Sequence, residues 1–256
     1  HGRRVARGRG VIRALRERHP EYLMEAFGLG AFMVSACVFG VALEHPASPL
    51  REALPSDLAR RGLMGLAMGA TAIAIVYSPW GKRSGAHINP AVTLAFLRLG
   101  KVRPVDALFY VLAQTLGAIV GVALSYVALG RALSHPTTHF VVTAPGAGGV
   151  GVAFLAEVGI SALLMTTVLV VSSSRWSRCT GLACGALVAA YITFEAPLSG
   201  MSMNPARTLG SAVVAGDFRA LWVYLSAPPL GMLAAAEAFL RVRALKAAPR
   251  KAHQAL

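Results

Sequence analysis

The tripeptide Asn-Pro-Ala occurs twice, at Asn89-Pro90-Ala91 and at Asn204-Pro205-Ala206. Each copy opens an apolar stretch, Val92 to Leu99 or Thr208 to Val214, that is too short to cross a bilayer. A spanning helix needs about 20 apolar residues. Proline is tolerated in the first turn of a helix, where its missing N–H would be unpaired anyway. Asparagine is a favoured N-cap because its side chain holds free backbone donors. Each triplet therefore reads as the capped start of a half-helix, over 89–99 and 204–214. A Gly/Ser turn precedes each one, Ser84-Gly85-Ala86-His87 and Ser199-Gly200-Met201-Ser202. Non-helical backbone at membrane depth is tolerated only inside protein or beside water, so the pair predicts two re-entrant segments flanking a wet path.

The rest of the chain supplies the membrane spans. Of 256 residues, 55% are hydrophobic and 14% charged, whereas a soluble domain carries about 25% charged residues. The apolar blocks predict spans near 22–43, 58–77, 105–129, 150–171, 181–196 and 221–240. Two repeats result, 21–130 and 150–240, joined by a Gly/Pro/Thr/His-rich loop over 131–149. Three spans per repeat is an odd number, so the halves insert in opposite directions and their Asn-Pro-Ala turns can meet at mid-membrane. The expected fold is an all-α membrane protein with six transmembrane helices and two re-entrant half-helices in an inverted repeat. Small-residue pairs (Gly65/Gly69, Gly117/Gly121, Gly181/Gly185) allow close helix packing.

The net charge of +14 concentrates in the tails 1–20 and 241–256, at the Lys82/Arg83 turn, at Lys101/Arg103 and at Arg175/Arg178. With six alternating spans these groups share one face. The positive-inside rule then makes both termini cytoplasmic, on the inner membrane if the source is bacterial. Nucleic acid is not expected as a partner; anionic headgroups of the lipid bilayer are. Cys37, Cys179 and Cys184 form neither a disulfide framework nor a metal spacing. No cleavable signal peptide is expected, because the tail before Pro20 is too rich in arginine. No nucleophile–base pair, paired-carboxylate site or ligand cluster stands out, so neither an enzyme nor a metal or other cofactor is expected.

Two half-helices meeting tip to tip put both positive dipole ends at one point. Asn89 and Asn204 can each offer an amide N–H to a solute oxygen there. A cation or hydronium meets positive potential from both sides, whereas a neutral hydrogen-bonding solute does not. This physics points to a passive channel for water and small uncharged solutes that excludes ions and protons.

The runs Ser84-Gly85-Ala86-His87-Ile88-Asn89-Pro90-Ala91-Val92-Thr93 and Gly200-Met201-Ser202-Met203-Asn204-Pro205-Ala206-Arg207 resemble the signature loops of the aquaporins, or major intrinsic proteins. The resemblance extends over Glu21 to Leu240. Within the family, 194–231 is most similar to the nodulin-26-like branch and its bacterial relatives. It implies a homotetramer with one pore per subunit and a selectivity filter of four residues. Matching the spacing back from each triplet puts Met68, Ile192, Met201 and Arg207 in that filter, with Gly69 the rival to Met68 because the Pro79–Arg83 turn is one residue longer than in most relatives. The resemblance implies that Arg207 walls the outer constriction and repels cations. The set departs from the water-specific pattern, an aromatic and a His at the first two positions. It also departs from glycerol facilitators, which carry an acid after the Arg where this chain has Thr208. A metalloid or polyol facilitator (arsenite, boric acid, glycerol) is the alternative; Leu225 favours it, and bulky Met68 and Ile192 oppose it.

Glu25 and Glu157 recur at equivalent places in the two repeats. Buried carboxylates need donors, and re-entrant loops have unpaired N–H groups, so each glutamate is expected to brace a loop rather than relay protons. Gln114 and His87 are assigned the same bracing role. Of the loop histidines His135 and His139, a solvated position is preferred to contact with Arg207. An ion-coupled transporter, whose flux would collapse on Glu25→Gln, and a closed-pore junction protein are the rivals from other classes.

Overall fold

The computed structural model describes residues 2–247, with side chains from 15 to 245. The helices are α1 (Gly2–Glu44), α2 (Pro49–Ala53), α3 (Asp57–Tyr77), α4 (Pro79–Ser84), α5 (Pro90–Arg98), α6 (Pro104–Leu129), α7 (Arg131–Ser134), α8 (Gly149–Ser172), α9 (Thr180–Phe194), α10 (Ala196–Ser199), α11 (Pro205–Ala215) and α12 (Leu221–Ala247). Single 3-10 turns occur at His139–Val141 and Ser177–Cys179. Among the described residues, six helical segments are long and apolar enough to cross a membrane; they lie in α1, α3, α6, α8, α12 and a stretch ending with α9.

Local chemistry sets the helix starts. Pro79, Pro90, Pro104 and Pro205 each occupy the first position of a helix, where no N–H is missed. Ser56 and Ser78 cap α3 and α4 by accepting from Ala59 N (3.4 Å) and Gly81 N (2.9 Å). Where the charge pattern reads as a tail up to residue 20, the backbone is helical from Gly2 onward, and α1 runs through Pro20. Proline cannot donate to the carbonyl four residues back; the His19 ring Nδ1 lies 3.3 Å from that Arg16 oxygen instead.

Packing follows the repeat. α1 lies against α6 as α8 lies against α12, and α3 meets α9 across the pseudo-twofold. Each half-helix then crosses over, α5 onto α12 and α11 onto α6. In the absence of side chains these helices reach backbone contact. A Cβ on Gly117 would overlap the carbonyl oxygen of Ala26, and one on Gly231 that of Val158. Ala26 and Val158 directly follow Glu25 and Glu157, so the two glycines draw α6 and α12 in at the level of the loop-bracing carboxylates. Gly65 and Gly69 do the same between α3 and α9, facing Ala189 and Gly185. The outward faces are apolar and exposed, with Leu23, Leu66, Leu116, Val127 and Leu155 prominent.

Candidate functional site: a conduit between two half-helix tips

The loops before α5 and α11 are built alike. Ala86 and Ile88 in the first, Met201 and Met203 in the second, all adopt positive φ (40° to 53°). Alternating left-handed residues turn successive N–H groups to one side, and each such non-glycine residue costs about 1–2 kcal/mol. Two buried carboxylates offset this. Glu25 accepts from His87 N (3.0 Å), Ile88 N (2.6 Å), Ser84 Oγ (2.7 Å) and Gln114 Nε2 (2.8 Å). Glu157 accepts from Ser202 N (2.6 Å), Met203 N (2.7 Å) and Ser199 Oγ (2.9 Å). Tyr110 Oη and Tyr224 Oη then donate to the carbonyls of Ser84 and Ser199, both at 2.6 Å. Spacing alone did not reveal Ser84, Ser199, Tyr110 and Tyr224 as braces. Aligning the repeats on their asparagines would have brought the tyrosines out, 21 residues past Asn89 and 20 past Asn204.

With their N–H groups committed, the loops have carbonyls to spare. Among the described residues nothing donates to the carbonyls of Gly85, Ala86 and His87 or of Gly200, Met201 and Ser202, and all six residues line one cavity. His87 is held at its ring by Thr93 Oγ1 (3.1 Å) and stacked on Phe96 (4.8 Å between centroids).

Asn89 and Asn204 meet at the centre. Asn89 Nδ2 donates to Met203 O and Asn204 Nδ2 to Ile88 O, each at 2.7 Å, so each cap is tied to the opposite loop. Asn89 Oδ1 accepts from Ala91 N (2.8 Å); Asn204 Oδ1 accepts from Ala206 N (3.1 Å) and Arg207 N (3.2 Å). An amide nitrogen has two hydrogens, so one N–H per asparagine remains beside the cavity that both residues line. Pro90, Ala91, Pro205 and Ala206 are buried behind them as the first turns of the half-helices.

The cavity measures about 600 Å³ and runs from Arg61 and Thr137 at one end to Lys101 and Thr180 at the other. Met68, Ile192, Met201 and Arg207 all line it. Gly69 does not; it faces α9, where a Cβ would lie 2.5 Å from Gly185 O. Met68 and Met201 are 1% and 6% exposed, so side chains close tightly around the path there. Met64, one turn from Met68, and Phe32 of α1 also line it; an anchor counted back from the triplets has no means of reaching them.

Arg207 Nη1 bonds Thr143 Oγ1, and Thr143 also accepts from Thr208 Oγ1 at 3.3 Å. Loop 131–149 thus descends to the arginine through a threonine rather than a histidine. His135 bonds within its own turn, to Thr137, and His139 bonds Asp217 at 2.8 Å. Asp217 is held further by Arg219, and these two partners keep its carboxyl well below the usual carboxylate range. Glu195, in the bend beyond α9, has both carboxylate oxygens buried with no hydrogen-bond partner among the described residues.

The comparisons with known proteins agree with this geometry. The family model described as Major intrinsic protein matches residues 17–239. The chain is 38% identical over 179 residues to aquaporin NIP1-3 of Oryza sativa subsp. japonica (68% of this chain, 60% of the relative) and 39% identical over 184 residues to aquaporin NIP6-1 of Arabidopsis thaliana (71% and 58%). It therefore spans about 60% of the length of the curated relatives it matches. An aquaglyceroporin from Plasmodium falciparum shares the fold with a TM-score of 0.72 at 22% identity, covering 86% of this chain and 95% of its own. A matched family model over nearly the whole helical region, on a six-helix inverted repeat, means that the chain belongs to the major intrinsic protein family of integral, multi-pass membrane proteins.

Proposed function

We propose that the chain is a passive transmembrane channel for water and small uncharged solutes that excludes ions and protons. The observation that carries this reading is the tip-to-tip seating of Asn89 and Asn204, each bonded to the other's loop with one N–H left for the path. Unpaired loop carbonyls on both sides of that point supply a file of acceptors, and the asparagine N–H groups supply donors. A water at the midpoint donates outward to carbonyls and accepts from the amides, which breaks a proton wire. Arg207 adds a fixed positive charge on the wall and disfavours cations further.

In this reading Met68, Ile192, Met201 and Arg207 form the filter. Glu25, Glu157, His87 and Gln114 brace the loops, and the exposed apolar faces meet lipid or neighbouring copies in a homotetramer. The basic segments put both termini in the cytoplasm. Similarity to a protein described as an aquaglyceroporin supports a second reading, in which polyols or neutral metalloids also pass. Proteoliposome swelling separates the two. Water permeability well above that of empty vesicles, with no change in a pH-sensitive dye under a proton gradient, is expected. Glycerol and arsenous acid flux then decides the solute range. Vesicles that stay tight to every neutral solute would reject both readings.

A further inference from the structure

The segment from His139 to Thr143 connects two ends of one half-helix. At its start, His139 Nε2 is 2.8 Å from Asp217 Oδ2, one residue beyond the Gly216 cap that ends α11. At its finish, Thr143 Oγ1 takes Nη1 of Arg207, in the first turn of α11. Between them His139, Phe140 and Val141 are all left-handed (φ 37°, 52° and 49°), a run that L side chains do not hold unaided. Val141 and Val142 on this segment line the cavity. Asp217 is only 11% exposed and is itself fixed by Arg219, so the anchor at that end is rigid. Thr143, at the other end, is 2% exposed and also accepts from Thr208.

We infer that His139 and Asp217 are positioning residues for the filter: their bond clamps the loop along α11, and the clamp holds Thr143 where it fixes the Arg207 guanidinium at the wall of the conduit. This rests on the channel reading above. A freed loop relaxes toward right-handed backbone and withdraws Thr143. Arg207 then swings, and the constriction becomes wider on average. His139 touches no solute; it sets solute choice through Thr143.

The test uses full-length protein in proteoliposomes, with glycerol-to-water permeability ratio as the readout. His139→Ala should raise the ratio roughly three- to tenfold, equivalent to about 0.7–1.4 kcal/mol at the filter, the net worth of one hydrogen bond. His139→Gln, whose amide N–H can replace Nε2–H, should restore the wild-type ratio. His135→Ala, in the same loop but bonded only to Thr137, should stay within about twofold, the scatter of an unrelated surface change. The double variant His139→Ala/Thr143→Ala should match Thr143→Ala alone, because residues acting through one another are not additive. Hydrogen exchange at the amides of 140–143 gives a readout independent of flux and should quicken in His139→Ala. An unchanged ratio, additive effects in the double variant, or unchanged exchange would overturn the clamp. A wild-type protein impermeable to every neutral solute, with exchange quickened as expected, would instead sink the channel reading alone.

Discussion

Replacing each bracing glutamate by glutamine separates the channel reading from the transporter reading, and the two positions should differ. A glutamine keeps one acceptor oxygen and turns an NH2 toward groups that are themselves donors. At 157 the retained oxygen can hold Ser199 Oγ and Ser202 N, leaving Met203 N–H facing an amide. One buried backbone donor left unsatisfied costs about 1–3 kcal/mol, and Arg207 loses the nearest opposing charge. At 25 the same substitution orphans Ile88 N–H but finds relief, because Gln114 Oε1 has no partner among the described residues and can rotate to accept from the new amide. The second repeat has no such rescuer: Pro228 stands four residues past Tyr224, where Gln114 stands four past Tyr110. Glu157→Gln should therefore destabilise more than Glu25→Gln, by about the 1 kcal/mol of one hydrogen bond. At roughly 2–4 °C per kcal/mol for a chain of this size, Glu157→Gln should melt about 2–12 °C below wild type. Thermal unfolding in detergent measures this, and swelling of reconstituted protein measures permeability per folded copy. Near wild-type permeability in the folded fraction, with no pH dependence, is expected for both. A flux that collapses in Glu25→Gln while its melting point holds would refute the bracing argument and favour proton coupling.

Asn204→Asp places a carboxylate between the two half-helix tips; cation leak should appear in ion-flux assays while water still passes. Gly117→Ala drives a methyl into the Ala26 carbonyl, where no flexible side chain can yield; a loss of several kcal/mol is expected, of the order seen for overpacked cores (about 1–3 or more), read as poor yield of folded protein. Asp217 lies outside the spans, one residue past the Gly216 cap of α11. Its folded value is depressed, its contribution is present above ~3.9 and lost only on further acidification, so the outer clamp should be insensitive to pH between 5 and 8 as far as this carboxyl is concerned.

The features legible in the sequence are those whose cause is local. Asn-Pro at a helix start, apolar blocks of spanning length and a lone glutamate in the first span of each repeat are consequences of capping and desolvation, which act on neighbours in the chain. Met68 against Gly69 was ambiguous because the Pro79–Arg83 turn blurs the count. The structure assigns the cavity to Met68 because Gly69 is needed where α3 and α9 touch. Features that escaped reading are held from a distance. Thr143 reaches Arg207 across 64 positions and His139 reaches Asp217 across 78. Neither contact has a local signature, since three consecutive left-handed residues lie in a stretch without glycine.

The same contrast explains why the two halves of the path are unequal although the repeat is close. Both loops use a serine, a tyrosine and a glutamate in the same way, so the central asparagines are set by symmetric devices. Beyond the centre the symmetry stops. The first half-helix presents Val92 two residues into its helix, also facing the cavity, and ends in an Arg98–Glu237 ion pair at 2.5 Å. The second presents Arg207 two residues into its helix, facing the cavity, and ends at the Asp217 anchor. Arg207 has no charged counterpart on the first half-helix, so the constriction on its side is the discriminating one, and a loop on that side alone is needed to hold it. The 131–149 segment joins the repeats and belongs to neither, so it is free of the constraint that keeps the two loops alike. Selectivity can then change through its sequence without disturbing the central asparagines. Exchanging residues 139–143 between family members should consequently move solute preference while leaving proton exclusion intact; a swap that let protons through would show that the centre and the outer mouth are not separable.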